Sequence, residues 1–201
     1  SNNPIWGREA ETYLRYIIDH YDELPPHVIF SQGDPYVHQP DFDRFLTPQC
    51  FETLNKVGYQ GLTRWYKKRA QSFPPPKVGR QAKVCGAIVR QYEVSAATIQ
   101  ILGFQDRRLG QYVANIAKHH GTDMMFDVFT TVAGLSPTER PRKVPMTISA
   151  IIWVSKDFIR HHPISVYQKL HDTLVSTASS HMLAYLYEKM WQYLFTLQEN
   201  G

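Results

Sequence analysis

The feature that most constrains this chain is a three-residue apolar run, Val28-Ile29-Phe30, set between Pro25-Pro26 and the turn Gln32-Gly33-Asp34-Pro35. The run is too short for a helix, and punctuation on both sides marks it as a buried strand. It empties into a segment that places Asp34, His38, Asp41 and Asp43 within ten residues. In open α/β sheets, ligands gather in the loops just past the carboxyl ends of strands. Three carboxylates and an imidazole in such a loop make it the first place to look for chemistry.

Upstream, residues 8–23 predict a helix, with Ala10, Tyr13, Leu14, Ile17, Ile18, Tyr21 and Leu24 at i, i+3, i+4 spacing. Glu9 and Glu11 occupy its first turn, where the helix dipole favours acids. Pro25-Pro26 stops it. Thr47-Pro48 is a second helix start, with Phe51, Leu54 and Val57 predicted on its buried side and Gly58 as its stop. Farther on, strands are expected over 83–89 and 98–102, a helix over 107–120, and a proline-rich loop over 136–145. Residues 147–154 form the most β-like run and are expected at the centre of a sheet. Ser155 caps a helical turn, and helices over 165–173 and 177–198 finish the chain.

The last helix is apolar on two sides. Leu183, Leu186, Met190, Tyr193, Leu194 and Leu197 share one face, while His181, Ala184, Glu188, Trp191 and Phe195 cluster on the other. Such a helix is interior, so Glu188 must be paired, hydrogen-bonded or functional.

At 201 residues and 43% hydrophobic, the chain suffices for one well-buried domain, 1–201. No apolar run is long enough to span a membrane. No signal peptide is visible, which favours the cytoplasm. Cys50 and Cys85 read as too few and too isolated for a disulfide framework or a zinc site. The net charge of +4 hides a segregation. Residues 1–50 carry three basic and eight acidic groups; residues 51–100 carry nine basic and two acidic. The basic segment 56–90, with Trp65 and Tyr66 among its cations, suits phosphates or nucleic acid, or is a solvated face.

Three pieces together resemble a known family: Gly7-Arg8-Glu9 continuing to Tyr13-Leu14; Gln32-Gly33-Asp34-Pro35 with His38; and 150–159, followed by Glu188, Trp191 and Phe195. The chain resembles an uncharacterised domain family of fungi, algae, bacteria and viruses, marked by a G-R-E-x-x-x-Y-L helix and a Q-G-x-P-x-x-H loop. That family is similar to nucleotide-sugar glycosyltransferases. The resemblance implies an α/β fold, a single Rossmann-like (glycosyltransferase A-like) domain with a mixed sheet flanked by helices and without the usual first strand. It also implies transfer of a sugar from a nucleotide-sugar donor to a hydroxyl acceptor. A divalent cation, Mn²⁺ or Mg²⁺, would sit on Asp34, His38 and Asp41, with Arg8, Gln32, Gly33 and Trp191 contacting substrate. Glu188 would be the catalytic base beside Asp34. The competing reading makes Asp41 a cap of the short helix leading to Leu46 and Asp43 a solvated side chain. Two other functions use the same residues differently: a metal-dependent hydrolase or nuclease on the Asp/His loop, and a non-enzymatic nucleic-acid binder on 56–90.

Overall fold

The computed structural model describes residues 8–63, 79–95, 125–136, 143–146, 151–176 and 180–196. Expectations for 98–102 and 107–120, and most of the aromatic-basic stretch after Thr63, lie outside them.

The chain is mixed α/β. It opens with helix α1 (Arg8–Asp19), strand β1 (His27–Ser31), two 3₁₀ turns (Pro35–Val37 and Phe42–Leu46) and α2 (Pro48–Leu54). Strands β2 (Tyr59–Gly61), β3 (Gly79–Val84) and β4 (Ala87–Ser95) follow, then α3 (Met125–Ala133), β5 (Lys143–Met146) and β6 (Ile151–Ser155). Helices α4 (Lys156–Arg160), α5 (Ile164–Ser176) and α6 (Ser180–Phe195) close it.

Two three-stranded sheets result, ordered β1-β6-β2 and β3-β4-β5. The β-rich run near 150 does supply a central strand, β6, buried along its whole length. Its neighbours are both antiparallel, with Phe30 opposite Ile152 and Gln60 opposite Trp153. The second sheet is antiparallel too. The expected mixed sheet of a Rossmann-like domain is therefore corrected: every strand pairing among the described residues is antiparallel.

Strand alternation divides the interior into two layers. Ile152, Val154 and Phe30 face one side, where α1, α3, α5 and α6 pack into the larger core. Ile151, Trp153 and Ile29 face the other, against Phe42, Phe45, Leu54, Leu62 and the β3–β4 hairpin. In the large layer, Tyr167 donates to Ile159 O (2.6 Å) and Tyr187 to Leu170 O (2.9 Å), so these two buried phenols are satisfied.

Several local expectations hold and several change. Thr47 Oγ1 accepts from Cys50 N–H at 3.3 Å, and Pro48 sits at the first helical position. Leu54 is buried, but Phe51 and Val57 are exposed; the Phe51 ring only leans on Trp153, 5.4 Å between centroids. Gly58 does not stop α2, which ends at Leu54; it leaves room for the Phe158 ring, which a Cβ there would overlap. Residues 83–89 are not one strand but a hairpin turning at Cys85-Gly86, both at positive φ. Lys143–Met146, expected as loop, is an edge strand in which Pro145 faces Glu93. Ser155 caps α4, accepting from Phe158 N–H at 3.3 Å.

Cys50 and Cys85, read as isolated, form a disulfide with Cα atoms 5.3 Å apart. It ties α2 to the tip of the β3–β4 hairpin. The pairing depends on a tertiary approach that cysteine spacing alone does not show.

Candidate functional site

Helices α1 and α6 lie side by side and leave a groove lined by Glu9, Ala10, Tyr13, Ala184, Tyr185, Glu188 and Trp191. Periodicity explains the set. Glu9 and Tyr13 are four apart on α1, while Ala184, Glu188 and Trp191 follow one another at four and three along α6. The two alanines keep the facing backbones bare and leave the space between larger neighbours. Including its open mouth, the groove measures about 270 Å³, and its floor has room for about one water molecule.

Glu188, half-buried, is held at 3.2 Å by Nζ of Lys189, a lysine only 5% exposed. The expectation that a carboxylate here must be paired is met by its own neighbour in sequence. Burial pushes the Tyr13 phenol upward, and the negative charges of Glu9 and Glu188 push it in the same direction. Both carboxylates thus act on a phenol that stays protonated and neutral. Tyr13 also packs between Trp191, 6.3 Å away, and Phe30, 4.8 Å away. This chain of rings runs from the groove to the carboxyl end of β1.

The turn beyond β1 has a different character. Asp34 is exposed and its Oδ1 accepts from Tyr36 N–H at 3.2 Å, capping the first 3₁₀ turn. Gln32 Nε2 donates to Asp34 O at 2.9 Å. Asp41 precedes the second 3₁₀ turn but makes no capping hydrogen bond with its side chain; Oδ1 pairs instead with Arg44 Nε at 3.7 Å. Asp43 accepts from Tyr36 Oη at 2.5 Å, and that bond raises the phenol's pKa. Gly33 faces open space, and His38 is half-buried. Buried Gln39 donates to Leu62 O at 2.8 Å, while Phe42 and Phe45 enter the smaller layer. Phe42 and Phe45 thus anchor the later part of the segment on the smaller layer.

The structure accordingly brings Glu188 and Trp191 together in one groove, whose described lining does not include Asp34, His38 or Asp41. Of the expected metal ligands, Asp34 and Asp41 are engaged locally. Among the described residues no three His, Cys, Asp or Glu side chains converge on one point. Sequence reading missed Glu9 and Tyr185 as groove residues. The signal was present in their spacing, Glu9 to Tyr13 and Tyr185 to Glu188, but it needs the knowledge that α1 and α6 are neighbours.

Among the described residues, no helix is long and apolar enough to cross a membrane. Residues 2–200 match a family described as a protein of unknown function, DUF3431. No curated protein and no solved structure matches the chain.

Proposed function

We infer that this chain, which belongs to the DUF3431 family, is a group-transfer enzyme that holds a small hydroxyl-bearing acceptor in the groove between α1 and α6. The observation that carries this reading is the Glu188 carboxylate, fixed by Lys189 at the edge of a cavity walled by Tyr13, Tyr185 and Trp191. Carboxylate and aromatic walls together suit a polyhydroxylated ring, which offers hydroxyls to the former and C–H faces to the latter. The enclosed part of the groove is small, so the acceptor unit rests at its open mouth and the nucleotide-sugar donor approaches from outside.

The chemistry is glycosyl transfer. Glu188 takes the proton of the acceptor hydroxyl, and the freed oxygen attacks the anomeric carbon of the donor. The bond from that carbon to the nucleoside diphosphate breaks, the diphosphate leaving with the electron pair. No step is assigned to Asp34, His38 or Asp41. The resemblance of the α1 and 32–38 motifs to glycosyltransferase-like domains supports the donor class, and the groove supports the acceptor.

The test is turnover of a nucleotide-sugar panel with simple sugar acceptors, comparing wild type with Glu188→Gln. Loss of a general base predicts a fall in kcat of about 100-fold or more. Because Glu188 pairs with buried Lys189, Glu188→Gln/Lys189→Met serves as the fold control. An unchanged kcat in a folded Glu188→Gln variant would falsify the base assignment. Absence of turnover with every donor would remove the transfer reading.

A further inference from the structure

We propose that the Cys50–Cys85 bond is a reversible tether: a small thiol opens it by attack on the Cys85 sulfur, releasing the tip of the β3–β4 hairpin from α2 while the rest of the fold stays in place. The tether belongs to the smaller layer, so this inference stands apart from the reading of the α1–α6 groove.

The two sulfurs sit in unequal surroundings. Cys50 is 2% exposed and held in the first turn of α2, its N–H donating to Thr47 Oγ1 at 3.3 Å. Cys85 is only half-buried and occupies the two-residue turn between Val84 and Ala87. Thiol–disulfide exchange needs access to the sulfur under attack, so Cys85 is the open end and Cys50 the leaving end. The backbone adds a second asymmetry. Cys85 has φ 52°, the one positive value at a non-glycine among the described residues. A side chain is crowded in that conformation, so the turn gains by relaxing once the sulfur is free. Arg44 adds a third, with its Nη1 3.2 Å from where a side chain on Gly86 would begin. A guanidinium beside the turn draws anionic thiolates, although Asp41, paired with Nε at 3.7 Å, offsets part of its charge.

The exchange balances in two steps. The thiolate sulfur bonds to Cys85 Sγ, and the electron pair of the broken S–S bond passes to Cys50 Sγ, which takes up a proton. A second thiolate attacks the small-thiol sulfur bound to Cys85 and departs with it as a disulfide, leaving Cys85 as a thiolate. The reverse reaction, run by that small disulfide, closes the tether. Once opened, the hairpin is left to the packing of Val84, Ala87 and Val89 in the smaller cluster.

The experiment is reduction of the whole folded chain with 2-mercaptoethanol at several urea concentrations below the unfolding transition, read by alkylation and mass spectrometry. Opening in the folded state gives a rate that does not change with low urea; a rate that climbs in step with global unfolding overturns the proposal. On the opened protein, hydrogen exchange should rise in the hairpin and leave α6 protected, and loss of protection throughout overturns local release. In single variants, Cys85 of Cys50→Ser should react with a small disulfide reagent at least about ten-fold faster than Cys50 of Cys85→Ser. Equal or reversed rates overturn Cys85 as the point of attack. At low salt, Arg44→Gln should slow opening by 2-mercaptoethanesulfonate about three-fold and leave 2-mercaptoethanol unchanged. Equal slowing of both thiols overturns the role given to the charge of Arg44.

Discussion

The two layers on either side of the β1-β6-β2 sheet are held together by different means. On one side α1, α3, α5 and α6 bury a continuous apolar cluster, with stacked rings such as Trp191 and Phe195 at 5.7 Å. On the other, a 3₁₀ turn, the short helix α2 and a hairpin share a much smaller cluster and a covalent link between Cys50 and Cys85. Their polar groups differ in the same way. The carboxylates past β1 are engaged in local turns, whereas Glu9 and Glu188 line one groove from separate helices. The contrast teaches that a dense cluster of acids in sequence is a poor guide to a site when each acid has a nearby donor. Two acids far apart in sequence become informative once packing places them across one hollow.

The sharpest way to break the comparison is to cut the covalent link. With its cysteines 35 positions apart in sequence, the bond is expected to contribute about 4 kcal/mol by loop entropy. Cys50→Ala/Cys85→Ala should lower the unfolding midpoint accordingly, with hydrogen exchange rising in α2 and the β3–β4 hairpin before α6. Uniform loosening of both layers would show that they are not separately held.

Next in size is Gly58→Ala, which forces the Phe158 ring from its place beside Gly58, at a cost of about 1–3 kcal/mol in chemical denaturation. A neutral result would mean that the ring moves freely. Tyr167→Phe removes the bond to Ile159 O from the large layer and should cost about 1 kcal/mol, since the carbonyl loses a buried donor. Equilibrium unfolding measures it, and no loss would place water at that carbonyl.

His162 gives a pH-dependent probe of the large layer. Burial lowers its pKa and the neighbouring His161 lowers it further, while a hydrogen bond with the Leu194 backbone opposes them. A histidine whose folded pKa lies below its unfolded value takes up a proton more readily when unfolded. Stability should thus be full above the unfolded pKa, near 6.5, and decline as the pH falls through it. His162→Gln should flatten that part of the urea-stability profile; an unchanged slope would assign the effect to other groups. The smallest expected change is Asp34→Ala, a surface cap of a 3₁₀ turn, at about 0.5–1 kcal/mol in the same assay. A collapse of the fold would show the turn to be far more central than its exposure indicates.

Much of this architecture was legible in the sequence. The stripe of α1, the strand at Val28-Ile29-Phe30, the cap at Thr47-Pro48 and the two-sided last helix follow from periodicity and local stereochemistry, and the structure contains them all. Strand direction was not legible. β1 and β6 are separated by more than a hundred residues, and nothing in either segment encodes an antiparallel approach. The hairpin at Cys85-Gly86 was hidden because a cysteine occupies a positive-φ position that usually signals itself through glycine or asparagine. At the groove, Glu188 and Trp191 could be singled out because an acid on a doubly apolar helix is costly. Glu9 could not, because a glutamate in a first turn already has a sufficient local explanation.

The link between Cys50 and Cys85 also bears on how the polypeptide is made. Such bonds form where thiols are oxidised, as in secretory lumens or outside cells, and glutathione-buffered cytosol keeps them open. The cytoplasmic setting first expected is the one that would deny the hairpin its tether. Material produced under reducing conditions would then be a loosened version of the thinner layer, and assays run on it would describe a different protein.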